Sequence, residues 1–400
     1  MKKRIDIIGG GPSALLLASE LDTEKFEVFI HEKNVALGRK FLVAGQGGFN
    51  LTHSEDPEQF ITRYTPSEFL EKAFFSFTNQ DLMVWLKARG IETHVGSSGR
   101  AFPIKGIKPI QVLDVLLKHL QKRGVTVFNS REWTGFTEDG DLLFKTRSGT
   151  ETVKTDITVF CLGGASWPQT GTKGDWTQHF IKRGITINPF QASNCAFEIK
   201  WPKELLPKLE GRAIKNAVFS IGKKTHAGEV VLTTFGIEGS GIYPLSPEIR
   251  KALEDGKEAE LLIDFKPGLS TQTLLEKLQS KKTKGTYSKH IQGILNLNDT
   301  QLALIKQYLN KADFLNAEQL VYSIKHFPLR ITAPGPIESA ISTVGGIALS
   351  ELNEHFEFKK IKNTYAIGEM LDYDAPTGGY LLQSCFSMGY FLAHHLNHSS

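Results

Sequence analysis

Residues 1–33 read MKKRIDIIGGGPSALLLASELDTEKFEVFIHEK, and within them Gly9-Gly10-Gly11-Pro12-Ser13-Ala14 forms a G-x-G-x-x-A loop. Ile5, Ile7 and Ile8 predict a strand before the loop, and an Ala/Leu-rich helix follows it. Val28-Phe29-Ile30 then predict a second strand ending at Glu32. This is the phosphate-binding turn of a βαβ unit. Gly9 permits the tight turn, Gly11 lets a pyrophosphate approach the backbone, and Ala14 lets helix and strand pack closely. Pro12 and Ser13 open the helix, whose unpaired N–H groups and positive dipole end attract phosphate. Glu32 falls 23 residues after Gly9, where a ribose-binding carboxylate belongs, and its charge disfavours a 2′-phosphate.

The 400 residues, 40% of them hydrophobic, predict two or three domains. A formal charge of +4 is too small to call for a nucleic-acid partner. Asp6 and Gly9 to Pro12 interrupt the apolar stretch after Lys2-Lys3-Arg4, so no secretory signal is expected there. No apolar run reaches the ~18 residues of a membrane span. Cys161, Cys195 and Cys385 are too scattered for a C-x-x-C redox pair, a disulfide framework or a metal site, and the 12 histidines form no H-E-x-x-H cluster. The disulfide-reductase class is excluded on this ground, no metal is expected, and a cytoplasmic protein is.

Along the chain, residues 33–55 (KNVALGRKFLVAGQGGFNLTHSE) are too glycine-rich for the interior of a helix or strand. Ser67 to Gly90 carries a helical pattern, and Val112, Leu113, Val115, Leu116 and Leu120 mark an amphipathic helix before a strand at Val125–Phe128. Residues 157–176 (ITVFCLGGASWPQTGTKGDW) read as a buried strand running into glycines. From Pro189 to Pro267, short alternating segments predict antiparallel β structure. Two helices follow, with Ser270 and Asp299 as expected N-caps. Tyr365-Ala366-Ile367, the turn Thr377-Gly378-Gly379 and a long helix close the chain. The predicted class is α/β: a Rossmann-like dinucleotide-binding domain (1–190 and 342–400), an inserted mostly antiparallel, barrel-like β domain (191–267 and 325–341), and a small helical subdomain (268–324).

Glycine signals at both ends of the chain discriminate between dinucleotides. A nicotinamide dehydrogenase completes its site in one contiguous domain, whereas extended, noncovalent FAD needs a second strand end near its ribityl chain and ring. Gly368-Glu369 supply that end. The helix after Thr377-Gly378-Gly379 would turn its N-terminus to the flavin N1 and C2 carbonyl, where reduced flavin carries negative charge.

The segments IGGGPSALLLA, EKNVALGRKFLVAGQGGFNLTH, CLGGASWPQTGTKGD and IGEMLDYDAPTGGYLLQSCFSMGY, in this order and spacing, resemble the BaiN/YhiN-like family of FAD-dependent oxidoreductases across essentially the whole chain. The resemblance implies a glutathione-reductase-type FAD domain. It implies that Gly9, Gly11, Ala14, Glu32 and Lys33 hold the adenosine diphosphate half, with Arg39 and Lys40 near the pyrophosphate and Val127 near the adenine. It implies Gly163 beside the cofactor, and Gly368, Glu369, Gly379, Tyr380 and Leu381 along the ribityl chain and ring. Where family members commonly read G-G-G-R-C-N, this chain has Gly45-Gln46-Gly47-Gly48-Phe49-Asn50. Substrate therefore does not transfer from a relative.

Because the flavin carries the hydride chemistry, no charged triad is required. The catalytic candidates are Asn50, Arg100, Asp372, Asp374 and Tyr380, each with a structural alternative: turn formation for the aspartates, a surface cation for Arg100, a core aromatic for Tyr380. Cys385 is expected to pack in the core. The expected reaction is hydride transfer from transiently bound NAD(P)H through FAD to an unsaturated small molecule. An FAD-dependent amine oxidase using oxygen, or a non-catalytic flavin-binding protein, remains as the alternative. Gly236, Gly239 and Gly241 either let a loop of the insertion approach the flavin or form a bulged turn.

Overall fold

The computed structural model describes residues 1–43, 49–279 and 286–399. Two compact units emerge, one of residues 1–191 with 341–400 and the other of residues 192–340.

The first unit is built on five parallel strands in the order Thr364–Ala366, Ile157–Phe160, Lys3–Ile8, Phe26–His31, Thr126–Phe128. Parallel neighbours need crossover connections, and the helix Pro12–Glu20 makes the first of them. Helices cover this sheet, so its strands are apolar on both faces: Ile5 and Ile7 are buried on one face and Ile8 on the other. Asp6 is a fully buried carboxylate among them, matched by partners: Arg4 donates to it at 2.7 and 2.9 Å, and His31 Nε2 lies 2.7 Å away. Burial alone would raise the Asp6 carboxyl, but the hydrogen bonds from His31 and Arg4 outweigh it and hold it below its usual range. The amphipathic helix is Pro109–Lys122, burying Val112, Leu113, Leu116 and Leu120.

Three expectations change on the structure. The pattern from Ser67 to Gly90 is two helices, Glu71–Ser76 and Asn79–Ala88, parted where Thr78 and Asp81 form a capping box. The N-cap near residue 299 is Asn298, which accepts from Gln301 N, while Asp299 is the first helical residue. The loop after Glu32 contains a short helix at Arg39–Val43 and a strand at Thr52–His53, which pairs with Arg100–Pro103. Ser270 caps as expected, accepting from Thr273 N at 3.0 Å.

The second unit carries an antiparallel sheet running Phe327–Ile331, Ala259–Asp264, Arg212–Ile221, Lys224–Leu232, Gly236–Glu238, Phe197–Glu198, Ala333–Pro334. Its two outermost strands are separated by Thr332 alone. One extended segment thus pairs with Ala259–Asp264 at its start and with Phe197–Glu198 at its end, which closes the sheet into a small barrel. Helices between Thr271 and Lys325 belong to the same unit. Gly236 and Gly241 are explained inside it: a Cβ would fall 1.8 Å from Phe197 O at the first and 2.6 Å from the Phe219 ring at the second. Close packing within the barrel accounts for these glycines. Among the described residues, no helix is long and apolar enough to cross a membrane, and no cluster has the makeup of a metal site.

Candidate functional site

In an open parallel sheet, ligands bind beyond the carboxyl ends of the strands. Four strands of the first unit end there on Gly9, Glu32, Cys161 and Ile367, and all four ends line one cavity of about 370 Å³. The glycine loop is tied across the sheet by Gly9 N to His31 O at 2.8 Å and Cys161 N to Ile8 O at 2.8 Å.

Packing demands some of the glycines, and others are left unexplained by protein contacts. At Gly9 φ is +101° and a Cβ would sit 2.3 Å from Cys161 O. At Gly10 a Cβ would meet Leu37 at 2.7 Å and Glu32 Oε2 at 3.1 Å. At Gly11, Gly163 and Gly171, all lining the cavity, a Cβ would meet nothing within 4 Å, although Gly163 has a φ of +74° that itself favours glycine. Open space in front of Gly11, at a helix start with Pro12 in its first turn and no side-chain cap, fits a phosphate group approaching the backbone.

Glu32 is held by three hydrogen bonds. Its Oε2 accepts from Gly10 N at 2.9 Å, and its Oε1 accepts from Asn34 N at 2.8 Å and Asn34 Nδ2 at 2.7 Å. Arg39 in turn donates to Asn34 Oδ1 at 2.9 Å. A carboxylate has about four acceptor positions, so three fixed donors orient Glu32 and leave one for a ligand hydroxyl. Lys33 is exposed at the cavity rim. On the far wall Lys40 donates to Ser166 Oγ and to Glu369 Oε2, both at 2.8 Å, while Glu369 Oε1 accepts from Thr343 N at 3.2 Å. Gly368, with φ +88°, is required by Ser13, whose Oγ would be 2.5 Å from its Cβ. Cys385 also lines the cavity, and burial pushes its thiol up to about 11, so it is no thiolate nucleophile.

Val127 lies on Thr126–Phe128 in register with Ile30 and does not line the cavity. The cavity is also walled by Arg131 and by Glu132 and Trp133 of a three-stranded sheet spanning Glu132–Val153, for which the sequence carries no local motif. Asn34, Ser166 and Thr343 are further residues missed at the sequence level. Asn34 could have been found two positions after Glu32, since Asn readily bonds back to its neighbours.

Gly379, Tyr380, Leu381 and Arg100 do not line the cavity and belong to a second cluster. Gly379 is the N-cap of the helix Tyr380–His398, with φ +101°. A Cβ on it would come 2.6 Å from Thr52 Cα. Tyr380 is buried against Phe60 and His53, and its hydroxyl donates to Glu55 Oε2 at 2.8 Å. Burial and that hydrogen bond hold its phenol well above its usual range. It packs as a core aromatic and does not line the cavity. Glu55 is paired with Arg63, which holds it below its usual value, and Leu381 is half-buried against the core. Asp372 is structural, accepting from Gly345 N at 2.9 Å and Asn188 Nδ2 at 2.5 Å. Asp374 is buried, with its backbone bonded to Thr65. Asn50 is half-buried beside Leu51, while Gly45 to Gly48 of the divergent motif lie outside the described residues.

The family model described as HI0933-like protein Rossmann domain matches residues 3–395. A 3-dehydro-bile acid delta(4,6)-reductase from Clostridium scindens is 26% identical to this chain, over 97% of each. A ribosomal RNA dihydrouridine synthase from Haemophilus influenzae is 24% identical, over 97% of this chain and 96% of its own. Among solved structures, a variant of E. coli quinol fumarate reductase FrdA is similar with a TM-score of 0.51 at 12% identity, over 99% of this chain and 70% of its own, a likeness of fold.

Proposed function

This chain belongs to the HI0933-like Rossmann-domain family of FAD-dependent oxidoreductases, and from that premise we propose that it passes hydride from NADH or NADPH, through noncovalent FAD, to a carbon–carbon double bond conjugated with a carbonyl. The observation that carries the cofactor half of this reading is the cavity at the strand ends. Gly11, Gly163 and Gly171, where a Cβ would meet nothing within 4 Å, leave open space in the cavity that holds the anchored Glu32 and the Lys40–Glu369 pair.

In this reading Glu32 accepts a ribose hydroxyl, and the N-terminus of Pro12–Glu20 takes the pyrophosphate with Arg39 and Lys40 nearby. Gly163, Gly368 and Glu369 follow the ribityl chain. The adenine end moves from Val127 to the wall of Arg131, Glu132 and Trp133. The turn Thr377-Gly378-Gly379 faces the N1 and C2 carbonyl edge of the ring. Bound FAD supplies hydride transfer, and the protein supplies orientation and charge. The buried wall of Ile8, Cys161 and Cys385 keeps water from the cofactor's inner face.

The substrate half is supported by what the relatives' names have in common. A delta(4,6)-reductase and a dihydrouridine synthase each add two hydrogens across a double bond conjugated with a carbonyl, one in a small molecule and one in RNA. A small molecule is proposed here, in keeping with the low net charge. The test is anaerobic mixing of the FAD-loaded protein with NADH and with NADPH, followed by a conjugated enone or a uridine-containing RNA. Bleaching of the visible flavin absorbance by one nucleotide, and its return on adding the enone, is the expected result. Bleaching by amines alone, with recovery only by oxygen, would reverse the assignment to an oxidase. Recovery with RNA alone would move the substrate to nucleic acid.

A further inference from the structure

A buried N–H without an acceptor costs free energy, so each one in a native structure calls for a partner. Four of the chain's five tryptophans are buried, and they divide by place. Trp85 Nε1 donates to Glu20 Oε1 at 2.7 Å and Trp201 Nε1 to Thr233 O at 3.0 Å, and neither residue lines the cavity at the strand ends. Trp133 and Trp176 do line it. They are 7% and 5% exposed, and among the described residues neither indole N–H has an acceptor.

Local structure brings these two indoles together. Trp133 lies on Glu132–Phe136, where a bulge before Gly135 shifts the register against Leu142–Thr146. At Gly135, with φ +134°, a Cβ would lie 3.0 Å from His179 Nδ1. The glycine bulge thus seats His179, also a cavity residue, edge-on to Trp133 with ring centroids 4.9 Å apart. Trp176 precedes the helix Thr177–Ile181, and the two indoles pack on the same ring, Phe180, at 5.5 and 5.7 Å. Arg131 N donates to Glu32 O at 2.9 Å, which ties the start of the strand carrying Trp133 to the residue assigned the ribose.

We propose that Trp133 and Trp176 hold the adenine base of the cofactor, their indole N–H groups donating to its in-plane ring nitrogens. This rests on the reading of the cavity as an FAD site. With the ribose at Glu32 and the pyrophosphate at Gly11, the base is the part of that half left to be bound, one glycosidic bond from the ribose. Its ring nitrogens are acceptors in the plane, and its flat faces suit a wall of aromatic rings. A phosphate or a hydroxyl could satisfy an N–H but has no face to offer these rings.

The probes are ADP, which carries the base, and FMN, which lacks it. In the full chain freed of cofactor, Trp133→Phe and Trp176→Phe each keep a ring and remove the donor. Each is expected to weaken FAD and ADP binding by about fivefold and to leave FMN affinity at the parent value. In the unsubstituted protein, two of the five indole N–H resonances are expected to move downfield on adding ADP and to stay in place with FMN, a measurement that needs no variant. Parental FAD and ADP affinity in both variants would overturn the proposal, as would indole resonances indifferent to ADP. Equal losses of FMN and ADP would also overturn it, making the indoles packing residues only. A parent protein that takes up neither FAD nor ADP would overturn the underlying cofactor reading instead.

Discussion

The two ends of the FAD unit are built in opposite ways. At the glycine-loop end almost every polar group is committed: Gly9 to His31, Gly10 and Asn34 to Glu32, Arg39 to Asn34. These partners lie within about one βαβ unit of sequence. At the Thr377–Gly379 end, strands from residues 52 and 100 meet a turn almost three hundred residues later. In the proposed reading the first end is a rigid receptor for the nucleotide half of the cofactor. The second is assembled from segments far apart in the chain and lies outside the cavity at the strand ends.

The comparison is broken most severely at Gly9. Gly9→Ala forces a Cβ to φ +101° and within 2.3 Å of Cys161 O. The backbone conformation alone costs about 1–3 kcal/mol, and the clash adds to it. Loss of both FAD and thermal stability is expected, read by absorbance and melting. Full FAD content in this variant would show that the loop is not rigid.

Next in size is Glu32→Ala, which strands the Gly10 and Asn34 N–H groups and removes a ribose acceptor. FAD affinity is expected to fall by about 1–3 kcal/mol, measured by titration of flavin fluorescence. Unchanged affinity would remove Glu32 from the site.

Tyr380→Phe sharpens the contrast from the other end with a smaller effect. The hydroxyl's bond to Glu55 is lost while the ring stays packed on Phe60 and His53. Stability is expected to drop by about 1–2 kcal/mol, with FAD affinity and spectrum unaltered. A shifted flavin spectrum would put the phenol back beside the ring.

How much of this was legible in the sequence follows the same division. Gly9, Gly11, Ala14 and Glu32 could be read because a βαβ phosphate loop is local and its spacing is fixed by one strand, one turn and one helix. Gly368 and Glu369 could be read from a second strand end, and they do line the cavity. Val127 does not line the cavity, and the nearby wall of Arg131, Glu132 and Trp133 is set by pairing within Glu132–Val153 rather than by any motif. Tyr380 beside a glycine turn gives no hint whether its ring faces a ligand or Phe60. That is decided by Glu55 and Arg63, more than three hundred residues away in the chain. Capping chemistry was legible to within a residue, as Ser270 and Asn298 show.

The central claim, that the cavity at the strand ends is an FAD site, is tested most directly by titrating cofactor-free protein with FAD and, separately, with NAD. Saturable FAD binding at one equivalent, abolished in Gly9→Ala and weakened in Glu32→Ala, with no comparable uptake of NAD, is the predicted result. Binding of NAD in place of FAD, or FAD binding indifferent to both substitutions, would contradict it.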